Sequence, residues 1–239
     1  MPSSTKSTLD HEISRLTRKI WSRHENTPAS QRILVGISGI PGSGKTTLAQ
    51  RIATDLNNMY YERCGNNNQN FAVDIPMDGY HFSRAHLAAM PNAPEAIHRR
   101  GAAFTFNAEE FLGLVQKLRH PVSEESKTIY APSFDHATKD PVEDNISILV
   151  SSRIVLLEGN YILLNREPWK SAAERLDERW FVTIDRDVAR ERLVERHVVS
   201  GIVPDIAAAY HRVDSTDSLN AEDILENRLE ADEEILGGC

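Results

Sequence analysis

Residues Gly39-Ile-Pro-Gly-Ser-Gly-Lys-Thr46 follow an apolar run, Ile33–Ser38, and precede a helical pattern in which Leu48, Ile52 and Leu56 recur at spacing four. This is the arrangement G-x-x-x-x-G-K-[ST] in its expected setting, and it demands a strand, a tight turn and a helix in that order. Glycines at 39, 42 and 44 let successive backbone N–H groups turn inward without Cβ clashes, so that they converge on one phosphate. The helix N-terminus adds its own positive end. Lys45 is expected to act as a point charge on β- and γ-phosphates, and the Thr46 hydroxyl as a ligand of Mg²⁺. The expected nucleotide-binding set is therefore Gly39, Pro41, Gly42, Ser43, Gly44, Lys45, Thr46 and Thr47.

Further apolar runs bounded by turn residues lie at Phe71–Ile75, Ile154–Leu157 and Trp180–Ile184, with helical patterns between or after them. Such alternation predicts an α/β fold with a mainly parallel sheet covered by helices. With 239 residues, 40% of them hydrophobic, the chain can bury one substantial core. An amphipathic segment, Leu9–Trp21, reads as a docking helix within an N-terminal extension over residues 1–30, and one domain spans 31–239. Asn107, with Glu110 three residues on, caps a helix that carries Phe111, Leu114, Val115 and Leu118 inward until Pro121. The helix after the glycine turn is expected to end near Asn57, with Tyr60–Asn70 as a polar surface loop. Thr128–Pro141, punctuated by prolines, reads as an irregular loop of the kind that carries function.

A formal charge of −8 and the lack of any long basic run argue against a nucleic-acid groove. No run approaches the ~18 apolar residues of a membrane span. The two cysteines, Cys64 and Cys239, have neither metal-ligand spacing nor the pattern of a disulfide framework, which fits a reducing, cytoplasmic setting.

Two carboxylates stand where an open α/β sheet places its ligands, at the carboxyl ends of strands. Asp78, in Met77-Asp-Gly-Tyr-His81, is a candidate base for a hydroxyl that attacks a phosphorus atom. Glu158, in Leu156-Leu-Glu-Gly-Asn160, is a candidate for holding Mg²⁺ together with Thr46. Arg192 and Arg196 share one helix face and could neutralise γ-phosphate charge, although Glu191 and Glu195 equally suit a salt-bridged surface helix. His81, Arg100, Tyr130, Asp135 and His136 are the polar groups expected around an acceptor. Asp217 and Asn220 read as caps of a following helix.

The order of these features resembles the uridine kinases, phosphoribulokinases and type I pantothenate kinases. The resemblance spans roughly residues 32–230. It rests on the glycine loop, Asp78-Gly-Tyr-His81, Arg99-Arg-Gly101 with Thr105-Phe-Asn107, Tyr130–His136, Glu158-Gly-Asn-Tyr161 and Arg192–His197. It implies a three-layer P-loop architecture like that of nucleoside kinases, with ATP as phosphoryl donor and a small-molecule hydroxyl as acceptor. It also implies a base at Asp78, Mg²⁺ on Thr46 and Glu158, and a small helical lid near residues 190–204 bearing Arg192 and Arg196, and it puts Asn220 near the nucleotide base. Asp78-Gly-Tyr-His81 and Ser133-Phe-Asp-His136 depart from the uridine kinase pattern, so uridine is not specified as the acceptor. A hydrolytic ATPase or GTPase switch and a non-catalytic nucleotide binder remain alternatives, and a homodimer is left open.

Overall fold

The computed structural model describes residues 3–65 and 70–237. Residues 66–69 of the expected polar loop therefore lie outside the described residues, and so does Cys239.

Five parallel strands form the central sheet: β1 (Ile33–Gly39), β2 (Ala72–Pro76), β5 (Ile154–Gly159), β6 (Glu178–Thr183) and β7 (Glu233–Leu236), in the order β2-β5-β1-β6-β7. The period-2 alternation of the strands sends neighbouring residues to opposite faces, and each face has its own core. On one side Val35, Ile37, Ile154 and Leu156 pack with α1 (Ser3–Glu25) and α2 (Lys45–Cys64). On the other, Leu34, Val155 and Leu157 pack with α5 (Ala108–Arg119), α6 (Trp169–Ala173) and α9 (Ser218–Asn227). These are the three expected layers.

Helix α1 docks through Ile13, Leu16, Ile20 and Trp21, each buried. A fully buried side chain of this size contributes about 1.5–3 kcal/mol. An ionic seam completes the attachment: Lys19 lies 2.6 Å from Glu178 and 2.7 Å from Glu233, and Arg15 lies 2.8 Å from Glu233, tying the helix to β6 and β7. The Asn107 cap forms as expected, its side chain accepting the Glu110 N–H at 3.3 Å.

Three local expectations are corrected. Helix α2 runs on to Cys64, where Gly65 takes the left-handed conformation (φ 63°) and returns its N–H to Tyr61. The last turn is held because Tyr60 stacks on Phe71 with ring centroids 4.2 Å apart, which the polar run after it disguised. Thr128–Pro141 is no irregular loop: β3 (Ile129–Asp135) and β4 (Asp140–Ile148) pair as an antiparallel hairpin. The register shifts between Ala131 and Ser133, so Pro132 sits at an irregularity where its missing N–H breaks no ladder bond. Finally, α8 (Ile206–Arg212) continues into α9 through a π-helical turn, Val213–Asp217, so no helix start exists for Asp217 to cap.

Candidate active site

Strand register gathers the site. Glu158 pairs with Ile37 on one side and with Pro76 on the other, so the three carboxyl ends of β1, β5 and β2 lie level. The glycine loop, Glu158 and Asp78 therefore emerge side by side.

In the loop, Gly42 and Gly44 adopt φ of 83° and 90°, conformations that a side chain would strain. A Cβ on Gly42 would also lie 2.8 Å from the Ala189 carbonyl of α7 (Arg186–Val199), so loop and helix pack closely. Gly44 stands at the N-cap of α2 and supplies no side-chain acceptor, leaving first-turn N–H groups open to an anion. The Ser43 hydroxyl is buried beside them with no hydrogen-bond partner among the described residues.

The Thr46 hydroxyl donates to Glu158 Oε1 at 3.0 Å. Glu158 is 4% exposed, and burial pushes its carboxyl up to about 7 against the opposing pull of Lys45. Burial also lowers the Lys45 ammonium below its usual range, an effect that Glu158 and Asp78 counter. Asp78 lies in a single 3₁₀ turn, Met77–Tyr80. His81 Nδ1 lies 2.9 Å from the Asp78 carbonyl, so that nitrogen carries a proton, and burial lowers the ring's pKa against the opposing pull of Asp78. Its ring lies between Phe106 and Phe134, at 3.9 and 5.0 Å.

The hairpin crosses directly over this turn. A Cβ on Gly79 would fall 2.2 Å from the Pro132 carbonyl oxygen, a backbone atom with nowhere to go. Gly79→Ala is therefore expected to lower stability by about 1–3 kcal/mol through overpacking. That corresponds to a fall in Tm of about 2–4 °C per kcal/mol in a chain of this size. An unchanged thermal melt would contradict the packing described.

Two cavities open on these groups. One, of about 430 Å³, is lined by Gly42 to Leu48, Arg192 and Arg196, with apolar walls from Leu9, Ile13, Val182, Leu193, Ile235 and the backbone of Gly237. The other, of about 300 Å³, is lined by Lys45, Thr46, Asp78, His81, Arg100, His136, Glu158 and Arg196, among others. They share Lys45, Thr46 and Arg196. Pro41 borders the second, whereas Gly39 borders neither and instead makes room for the Ser43 side chain, 2.7 Å from where its Cβ would be.

Some expected residues have other work. Tyr130 is 50% exposed on β3 and faces neither cavity. Asp135 closes the hairpin turn, accepting from the Ala137 N–H at 2.8 Å and the Thr138 hydroxyl at 2.9 Å. Arg100 reaches the second cavity, but its guanidinium is engaged by the carbonyls of Phe82 and Lys139 and by Asp140 at 3.0 Å. Asp217, in place of capping, pairs with His197 at 2.7 Å, and Asn220 accepts from Arg99 at 3.1 Å while lining the second cavity. Residues the motifs did not single out include Leu9, Ile13, Ile235 and Gly237 in the first cavity, and Lys139, Asn160 and Arg212 in the second. Leu9 and Ile13 lie in the amphipathic segment, Lys139 in the Pro-punctuated stretch and Asn160 in the Glu158-Gly-Asn-Tyr161 motif, whereas no local signal pointed to Ile235, Gly237 or Arg212.

Among the described residues no helix is long and apolar enough to cross a membrane. Nor is any group of three or more His, Cys, Asp or Glu side chains among them placed to hold a metal ion by itself.

Comparison with known proteins matches residues 34–201 to the phosphoribulokinase / uridine kinase family. Over 161 residues the chain is 60% identical to the ATP-dependent kinase-like protein notR' of Aspergillus versicolor, covering 67% of this chain and 94% of that one. It is 39% identical over 202 residues to "Putative uridine kinase C227.14" of Schizosaccharomyces pombe, covering 84% and 82% of the two. The crystal structure of YFH7 from Saccharomyces cerevisiae superposes with a TM-score of 0.76 at 24% identity, over 98% of each chain.

Proposed function

The chain belongs to the phosphoribulokinase / uridine kinase family and is an ATP-dependent kinase, and from that premise we propose that it moves the γ-phosphoryl group of ATP onto a hydroxyl of a small metabolite. The observation that carries this reading is the pair of cavities meeting at Lys45, Thr46 and Arg196. A donor and an acceptor bound in adjoining chambers would react at that junction. Positioning and charge stabilisation supply most of the catalysis in phosphoryl transfer, and both need such an arrangement.

The loop amides and Lys45 hold the donor phosphates, while the apolar walls of the first cavity take the base and ribose. Residues 31–239 make up the kinase domain, and the extension over 1–30 contributes Leu9 and Ile13 to the donor chamber. Asp78 accepts the proton of the attacking hydroxyl. Residues 190–204 act as the lid, with Arg196 over the junction and Ser200 and Ile202 over the acceptor.

Thr46 and Glu158 fit a Mg²⁺ ion. Two neighbouring oxygens of an octahedron with 2.0–2.1 Å bonds are about 3 Å apart, the separation seen between these side chains, and nucleotide phosphates and water complete such sites without a larger protein cage. When bound, the ion would draw charge from the phosphate oxygens. Glu158 by itself has a consequence for the metal-free protein. Its folded pKa is raised from 4.5 to about 7, so the stability present below 4.5 is lost as pH rises through 7. The loss amounts to about 3 kcal/mol. Glu158→Gln is expected to flatten the dependence of Tm on pH between about 4.5 and 7 in the absence of metal; a wild-type slope in that variant would argue against the assignment.

The function is tested by ATP consumption with nucleosides, pantothenate, sugars and glycerate as acceptors. Acceptor-stimulated ADP formation is expected, with a phosphorylated acceptor recovered in equal amount. ATP use that stays at the water-only rate with every acceptor would favour a hydrolase or a non-catalytic binder.

A further inference from the structure

In a chain of formal net charge −8, the wall of the acceptor cavity carries five cationic side chains, Lys45, Arg100, Lys139, Arg196 and Arg212, against three carboxylates, Asp78, Glu158 and Asp217. Most of these charges are committed. Lys45 faces Asp78 and Glu158 and, with Arg196, also lines the donor chamber. Arg100 is paired with Asp140, and Asp217 with His197. Lys139 and Arg212 are left over.

Arg212 is the more telling of the two. It is half-buried at the end of α8, and its Nε is buried without a hydrogen-bond partner. The acid nearest in sequence, Asp214, is taken by Arg190 at 2.8 and 2.9 Å. Among the described residues Arg212 forms no salt bridge. Lys139, placed by a positive φ of 58° in the hairpin turn, makes one long bond, 3.4 Å, to the Gly201 carbonyl. A guanidinium held part-buried without a counter-charge is costly unless a ligand supplies that charge. Its planar fork suits a carboxylate or a phosphate. A second orphan on the same wall, the buried Asn160 Oδ1, has no donor among the described residues and would accept from a hydroxyl. The volume, about 300 Å³, is at the small end of ligand pockets.

We infer that the acceptor is a small hydroxy acid or sugar phosphate whose anionic group is bound by Arg212 and Lys139. This rests on the kinase reading above and adds the charge of the substrate to it.

The test compares matched acceptors that differ in charge: glycerate with glycerol, pantothenate with pantothenol, ribose 5-phosphate with ribose. At least one anionic member is expected to support turnover with a kcat/KM about tenfold or more above its neutral partner, and the pair that responds distinguishes carboxylate from phosphate. Arg212→Ala is expected to raise KM for that anion by about 10–100-fold, as loss of a charge-assisted hydrogen bond does, with kcat within about threefold and KM for ATP unchanged. Lys139→Ala, a change in the hairpin turn and not in the core, should raise the same KM to a lesser degree. Equal use of neutral and anionic members, or an unchanged KM in both variants, would overturn the inference while leaving the kinase reading intact. If no acceptor turns over, the kinase reading is at fault. The inference is then judged by thermal shift of the wild-type protein loaded with a non-hydrolysable ATP analogue. A shift by an anionic probe that Arg212→Ala abolishes supports it, and no shift by any anionic probe overturns it.

Discussion

Asp78→Asn is expected to lower acceptor-dependent kcat by about 10²–10⁴-fold, the range for loss of a general base. The amide keeps the shape of the side chain and can still orient a hydroxyl, yet it cannot take the proton. The KM for ATP should stay within about threefold, because Asp78 lines the acceptor cavity alone and not the donor cavity. Stability should also hold, since the turn that carries Asp78 is positioned by backbone, through the fit of Gly79 under Pro132 and the His81 contact to the Asp78 carbonyl. Single-turnover transfer from labelled ATP is the cleanest measurement. A variant within about fivefold of wild type would remove Asp78 from the role of base.

Arg196→Ala is expected to cost about 10³-fold or more in kcat, the scale on which an arginine facing the transferring phosphoryl group acts. Its side chain borders both cavities, and in the proposed reaction charge would spread over the γ-oxygens at their junction. Arg192, one turn earlier, borders the donor cavity without the acceptor cavity and donates to the Gly42 carbonyl at 3.3 Å. Arg192→Ala should therefore act more on KM for ATP than on kcat. Arg196→Lys keeps the charge without the planar fork and should recover only part of the rate. Equal kcat losses in Arg192→Ala and Arg196→Ala would mean that the two arginines are not divided as their positions indicate.

The two arginines also show how far the sequence could be read. Their spacing of four put them on one helix face, which is a local property. Whether that face met solvent or a cavity depended on the close approach of α7 to Gly42, which is not local. The strands leading to Asp78 and Glu158 were legible because apolar runs were followed by carboxylates, and the Asn107 cap because its signal spans four residues. The hairpin was misread because prolines are ordinarily evidence against strands, and only the register irregularity beside Pro132 makes room for one. The end of α2 was misread because the stacking of Tyr60 on Phe71 depends on β2 returning beside it.

The sequence by itself determined the glycine loop that forms the proposed donor half of this protein. A phosphate loop is contiguous: its glycines, lysine and threonine supply backbone amides, charge and hydroxyl from eight neighbouring residues, so covalent order nearly dictates their geometry. The proposed acceptor half was decided by tertiary structure. Its wall draws on the ends of two strands, the turn of a hairpin, and the helices from α7 to α9. Whether each charge there is spent or open depends on which neighbour reaches it first. Among the described residues Arg212 lacks a counter-charge because Arg190 holds Asp214 and His197 holds Asp217, pairings that form only when these segments pack together.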